Sequence, residues 1–253
     1  MTAIRFFKMI IAGKKIEVEC ANKSALNKCR EYIQEFENPD YVLNITVNEI
    51  QREIEQIYKG NPLKKTISGE IATEFLEIEP MILYRKLSAI LLKDNIISLH
   101  GAAISLDNRC LIFTAPSGTG KTTHILNWKK VFPETIIING DKPLINTETK
   151  MVYGSPWCGE EGYNTNTSAH LEGIVILERG EENYIKPISF HEMLPFLLQQ
   201  TYIPKEKELA LKAYSLIGKL KDIPFYKLIC NMNEESARVS HDGIFKNDTW
   251  LSR

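Results

Sequence analysis

Ala115-Pro116-Ser117-Gly118-Thr119-Gly120-Lys121-Thr122-Thr123 is the stretch on which the reading of this chain turns. It fits the phosphate-loop pattern G-x-x-x-x-G-K-[ST] at every fixed position but the first, where Ala115 stands for glycine. Gly118 and Gly120 allow the backbone to turn so tightly that successive N–H groups face the same phosphate oxygens. The helix that follows adds free N–H groups and the positive end of its dipole. Ser117, Gly118, Thr119, Gly120, Lys121, Thr122 and Thr123 are therefore the expected phosphate-binding residues. Lys121 would reach the β- and γ-phosphates, and Thr122 would hold Mg²⁺ through its hydroxyl. Ala115 takes little more room than glycine, but it would be strained if the loop required a positive φ there.

The flanks supply the context that such a loop needs. Arg109–Thr114 (RCLIFT) reads as a buried strand before it, and Lys121 to about Lys130 as a helix after it, ended by Pro133. Thr135–Asn139 (TIIIN) is a further strand, with Gly140-Asp141 at its carboxyl end. Upstream, Ile96–Leu99 leads into a mostly buried strand at His100–Ile104, and Asp107-Asn108 marks a turn. Downstream, Gly173–Leu177 and Ile223–Leu228 read as strands and Phe190–Gln199 and Glu206–Leu220 as helices. Strands alternating with helices from residue 109 onward imply an α/β domain with part of its sheet parallel.

Residues 1–95 read as a small α+β region, and residues 96–253 as the core that carries the loop. Ile4–Ile11 and Lys15–Cys20 flank Ala12-Gly13-Lys14, a hairpin pattern. Ser24–Phe36 has helical spacing, Tyr41–Val47 alternates as a strand, and Gln51–Tyr58 fits either a short helix or a strand. Asn61-Pro62 marks a turn. The segment from Pro80 to Leu91 reads as a helix with proline in its first turn. Tyr41–Val47 is either a flanking strand or an edge that an extended peptide would join.

The 253 residues carry 31 Lys and Arg against 32 Asp and Glu, a formal net charge of −1. No bulk positive field is present to gather nucleic acid or an anionic membrane. A phosphate site must then be built locally. No apolar run approaches the roughly 18 residues of a membrane span, and Met1–Ala12 lacks the apolar core and cleavage site of a signal peptide. The five cysteines, Cys20, Cys29, Cys110, Cys158 and Cys230, show no metal-ligand spacing. Free thiols and a cytoplasmic location are expected.

Other candidates lie around the loop. Asp141 is either a carboxylate for Mg²⁺ or nucleophile activation, or a turn aspartate. His100 is either a core histidine or a donor to a phosphate oxygen. Gly154–Ser168 is rich in Gly, Asn, Thr and Ser and carries Trp157, which reads as exposed. Glu160 and Glu161 within it would supply a second carboxylate, and Asn164 and Asn166 would hydrogen-bond a ligand, unless the segment is only a surface loop.

Together, His100-Gly101, the RCLIFT strand, Ser117–Thr123 and Asn139-Gly140-Asp141 resemble the HPr kinase/phosphorylase and phosphoenolpyruvate carboxykinase group. The resemblance covers about residues 96–145 and implies that group's P-loop core with a mixed sheet, and use of ATP and Mg²⁺. Two departures accompany it. Lys142 stands where HPr kinases carry a second aspartate, and Leu177-Glu178-Arg179-Gly180 is only superficially like their arginine signature. Gly154–Ser168 and Leu198-Gln199-Gln200 are more similar to small stand-alone kinases of that type, which phosphorylate a serine of a ribosomally made precursor such as a lasso-peptide precursor. The resemblance thus implies a peptide or small-protein substrate and a homo-oligomer like the rings of HPr kinases, while the charge balance implies no nucleic-acid or membrane partner. Phosphoryl transfer by Lys121, Asp141, His100 and Glu160 or Glu161 is the expected activity. The missing aspartate also fits a nucleotide-binding scaffold without catalysis, and the acceptor is alternatively a free metabolite.

Overall fold

A hairpin begins the described chain: β1 (Arg5–Ile11) pairs antiparallel with β2 (Lys14–Cys20). Its turn places Ala12 and Gly13 at φ 49° and 73°, the two positive values that a tight hairpin demands. The computed structural model describes residues 5–59 and 71–246, so the Asn61-Pro62 turn lies outside the described residues. The chain divides into two compact units, Met1–Ile90 and Leu91–Arg253.

In the first unit β3 (Tyr41–Asn44) joins β2 in parallel, giving the order β1-β2-β3. Alternate residues Phe7, Met9, Ile11, Ile16 and Val18 are buried, so one face of this sheet is covered. The helix expected over Ser24–Phe36 is much shorter. It comprises α1 (Ser24–Lys28) and a 3₁₀ turn at Arg30–Tyr32. The cause is competition from the sheet: Ile33 bridges Met9, and the Gln34 N–H donates to the Lys8 carbonyl at 3.1 Å. Residues 47–59 resolve the helix-or-strand ambiguity as α2 (Val47–Lys59). Pro80 does not start the next helix but lies inside α3 (Ile71–Leu91). Its neighbour Glu79 is wholly buried and caps α1, accepting from the backbone N–H groups of Ala21 (2.8 Å), Asn22 (2.9 Å) and Ala25 (3.2 Å). A fully buried carboxylate persists only with such donors.

The second unit holds a nine-stranded mixed sheet. Its main path runs β4 (Ile96–Ser98), β8 (Leu144–Asn146), β9 (Met151–Tyr153), β10 (Ser168–Arg179), β6 (Arg109–Thr114), β5 (Ala102–Leu106) and β7 (Ile136–Asn139). β12 (Phe225–Cys230) lies parallel to β10, and β11 (Tyr184–Ile188) pairs with β12. The parallel contacts are β10 with β6 and with β12; the other pairings of this sheet are antiparallel. The mixed α/β class is therefore as expected. β8, β9 and β11 are additions that short, partly polar sequences did not signal.

Both faces of the sheet are covered. α5 (Phe190–Gln200) and α6 (Lys207–Gly218) pack with Ile97, Ile112, Ile138, Ile174 and Phe225. α4 (Lys121–Val131) and α7 (Glu235–His241) pack with Ile104, Leu111, Phe113, Val175 and Leu228. Central strands sealed on both faces read as continuous apolar runs, as RCLIFT does.

Strand polarity positions the site. β5 runs antiparallel to both β6 and β7, so β6 and β7 point the same way. β10 and β12 share that direction. The carboxyl ends of β6, β7, β10 and β12, with the amino end of β5, meet at one edge of the sheet.

Candidate active site

The loop of residues 115–120 leaves β6 at this edge and opens into α4. Gly118 and Gly120 adopt φ 77° and 115°, values that a side chain would strain. Ala115 is fully buried and is not among the positive-φ residues, so replacing the first glycine introduces no backbone strain. Lys121, only 9% exposed, donates from Nζ to the Ala115 carbonyl at 3.1 Å. Burial lowers its pKa below the usual lysine value; nearby Asp141 opposes that shift and Lys142 adds to it.

Asp141 follows β7 and faces the loop. Its position is set from behind by Asn139, which is fully buried. Asn139 Oδ1 accepts from the N–H groups of Asp141 (2.8 Å) and Lys142 (2.6 Å), while its Nδ2 donates to the Ser155 carbonyl (2.8 Å). The Asp141 carbonyl accepts from the Gly101 N–H at 2.8 Å. The side chain is paired on both oxygens: His100 Nε2 lies 3.0 Å from Oδ1, and Lys142 Nζ donates to Oδ2. Burial alone would raise this pKa, but the hydrogen bonds and charge of His100 and Lys142 outweigh it and hold the carboxyl at about 2. Asp141 is accordingly ionised throughout the neutral range. His100 and Gly101 do not extend a strand as expected; they form the link between β4 and β5.

The loop 154–167 folds back over this corner. The Gly140 N–H donates to the Tyr163 carbonyl (2.8 Å), and Asn139 bridges Asn164. Trp157, expected at the surface, is 8% exposed because the segment is tied down on both sides of it. Gly159 brings the loop to Asp141: a Cβ on Gly159 would lie 3.5 Å from Asp141 Cβ and 3.4 Å from Glu161 Oε2.

His100, Ser117, Gly118, Gly120, Lys121, Thr122, Thr123, Asp141, Glu160 and Glu161 line one open cleft of about 490 Å³. Thr119 lies beside it, lining an adjoining cleft of about 500 Å³ together with Phe196. A volume near 500 Å³ is in the range that holds nucleotide-sized ligands. Asn166 is not among the residues lining either cleft.

Arg179, set aside in the sequence, belongs to this site. At the end of β10 its Nε donates to the Thr119 carbonyl (3.1 Å) and its Nη2 to the Gly118 carbonyl (2.5 Å). The guanidinium satisfies two loop carbonyls and adds a positive charge to the cleft wall. The only sequence signal was the Leu177-Glu178-Arg179-Gly180 run at a strand end.

The donor set fits Mg²⁺. Thr122 offers a hydroxyl and Asp141 an ionised carboxylate, and a hard cation that retains several waters needs only one or two such protein ligands beside phosphate oxygens. Among the described residues no three His, Cys, Asp or Glu side chains form a metal-holding group. The protein would thus supply part of a coordination shell.

No protein-family model matches the chain, and no curated protein matches it. Solved structures that match include the HPr(Ser) kinase/phosphatase from Coxiella burnetii, at 10% identity and a TM-score of 0.32, covering 61% of this chain and 94% of that one. Among the described residues, no helix is long and apolar enough to cross a membrane.

Proposed function

We propose that this chain is an ATP- and Mg²⁺-dependent kinase that transfers the γ-phosphoryl group to a hydroxyl, with serine of a ribosomal precursor peptide the preferred acceptor. The observation that carries the reading is the meeting of the phosphate loop, Lys121 and the His100-paired Asp141 in a single cleft.

In the reaction the acceptor oxygen forms a bond to the γ-phosphorus, and the bond from that phosphorus to the β–γ bridging oxygen breaks. ADP leaves, and the acceptor's proton must pass to a base. Such transfers ask mainly for positioning and charge stabilisation. The loop N–H groups hold the phosphate chain, Lys121 neutralises the oxygens near the transferred group, and Arg179 braces the loop from outside. When bound, Mg²⁺ would be held by Thr122 and Asp141 and would offset charge on the β- and γ-oxygens. A carboxyl held at about 2 is a poor proton acceptor near neutrality, which favours Asp141 as the metal ligand. Proton acceptance then falls to Glu160 or Glu161. Glu161 is favoured because it and Asp141 flank the same glycine.

The test is incubation of the purified protein with ATP, Mg²⁺ and serine-containing peptides, with phosphoserine read by mass spectrometry. Lys121→Ala should remove transfer while the far-UV spectrum stays unchanged; full transfer by that variant would refute the assignment. A second reading, a nucleotide-binding scaffold, draws support from Lys142, which neutralises Asp141 where a second acid would stand. ATP binding with neither transfer nor hydrolysis would favour it.

A further inference from the structure

The segment after β12 is held far more firmly than an ordinary connection. Asn127, on α4, donates both amide hydrogens to it, reaching the carbonyls of Met232 (3.1 Å) and Asn233 (3.0 Å). Asn183 Oδ1 accepts from the Asn231 N–H (3.0 Å), and its Nδ2 donates to Asn233 Oδ1 (3.2 Å) and Glu235 Oε2 (3.0 Å). Asn231 closes the set, donating from Nδ2 to the Glu181 carbonyl (2.9 Å) and accepting from the Asn233 N–H (3.2 Å).

What this network presents is Met232. Its side chain is 49% exposed, so the core does not require it. It lies across the phosphate loop: a Cβ on Gly120 would stand 3.1 Å from both Met232 Sδ and Cε. Met232 lines the main cleft and also a small recess formed with Thr119, Gly120, Thr123 and Asn127.

The chemistry of the cleft gives a bound nucleotide its direction. Lys121, His100 and Asp141 mark the end where a terminal phosphoryl group would react. The other end of the nucleotide then runs past Gly120 and Thr123, which form with Met232 a recess to which His100, Lys121 and Asp141 do not contribute. A thioether is polarizable and packs well against an aromatic ring.

Resting on the kinase reading above, we infer that Met232 is the nucleoside contact, a preorganised apolar surface on which the base of the nucleotide lies. The asparagine network fixes the segment before the ligand arrives, which reduces the ordering cost of binding. Phe196 lines the adjoining cleft, to which Met232 does not contribute.

Calorimetry with two probes, ATP and inorganic tripolyphosphate, tests this in the presence of Mg²⁺. Met232→Ala should weaken ATP by about tenfold and leave tripolyphosphate within twofold of wild type, while Met232→Leu restores most of the ATP affinity. Unchanged ATP affinity in Met232→Ala, or equal loss of both probes, overturns the inference. So does Phe196→Ala if it is the variant that weakens ATP alone. Lys121→Ala keeps the two readings apart: it should weaken both probes, and unaltered tripolyphosphate binding in that variant refutes the phosphate-loop reading itself. A wild-type protein that binds neither probe overturns both.

Discussion

Acid should loosen the helix that follows the loop at residues 115–120 through one buried histidine. His124 stands in α4 directly after Thr123 and is only 3% exposed. Trp128 Nε1, which can only donate, has two acceptors within reach, Ser240 Oγ at 2.9 Å and His124 Nε2 at 3.1 Å. Nδ1 carries the hydrogen and directs it to Ser236 Oγ at 3.2 Å, which leaves Nε2 as an acceptor, because Ser236 has no hydrogen left to give the ring. The Ser236 hydroxyl passes its own hydrogen to the Asn233 carbonyl at 2.8 Å. Phe113 meets the imidazole edge-on, with ring centroids 4.5 Å apart. A second proton at Nε2 would face an indole N–H in a dry environment, and burial accordingly pushes the pKa from 6.5 down to about 3.

The sign follows directly. Between those two values the unfolded chain holds a proton on this histidine and the folded chain does not, so stability rises with pH and is lost on acidification. The slope is at most about 1.4 kcal/mol per pH unit, and the full window amounts to something on the order of 4–5 kcal/mol. That is a large share of the 5–15 kcal/mol typical of a domain. Urea unfolding from pH 7 to pH 4 should show the wild type losing stability faster than His124→Gln, whose amide can accept from Trp128 and donate to Ser236 without titrating. Comparing the two proteins cancels the carboxylates that titrate in the same range. Parallel stability curves would refute the reasoning. A nitrogen NMR titration reads the same group in the wild type alone, and a midpoint near 6.5 would be equally fatal.

Further outcomes follow from single contacts. Gly140→Ala places a Cβ 2.8 Å from the Cys158 carbonyl oxygen; backbone must move, so thermal unfolding should register a loss of about 1–3 kcal/mol, and transfer should fall with it. Asn139→Ala removes the acceptor for the half-buried Asp141 and Lys142 N–H groups, and should cost about 1–3 kcal/mol in all while lowering Mg²⁺-dependent transfer more than tripolyphosphate binding. Arg179→Ala frees the Gly118 and Thr119 carbonyls and should weaken tripolyphosphate several-fold by calorimetry, with global stability changed by less than about 1 kcal/mol because the residue is exposed. Lys121 loses its charge below the usual lysine value because of burial; phosphate affinity of the free protein should therefore decline with rising pH earlier than an exposed lysine would allow, and the decline should be absent from what affinity remains in Lys121→Ala.

The part of this site that was readable in the sequence is the part whose physics is local. Ser117–Thr123 announces itself because its glycines and lysine act on the backbone of their own loop, and Asp141 because it ends an apolar strand. Arg179 and Met232 carry no such signal. Their partners, Gly118 and Thr119 for one and Gly120 for the other, are distant in sequence and adjacent only through register. β10 pairs with β6 so that Ile176 meets Thr114, which brings the end of β10 beside the emerging loop. β12 pairs with β10 so that Cys230 meets Arg179, which brings Met232 to the same edge. The Ser24–Phe36 segment failed for the same reason in reverse: helical spacing was present, but bonds from residues 33 and 34 to β1 prevailed. Trp157 was misjudged because its polar surroundings suggested solvent, whereas Asn139 pulls that loop inward through Ser155. Strand polarity makes these observations one. Once β6, β7, β10 and β12 run the same way, the residues that follow each must gather at one edge, and a near-neutral chain thereby places Lys121 and Arg179 on the wall of one cleft.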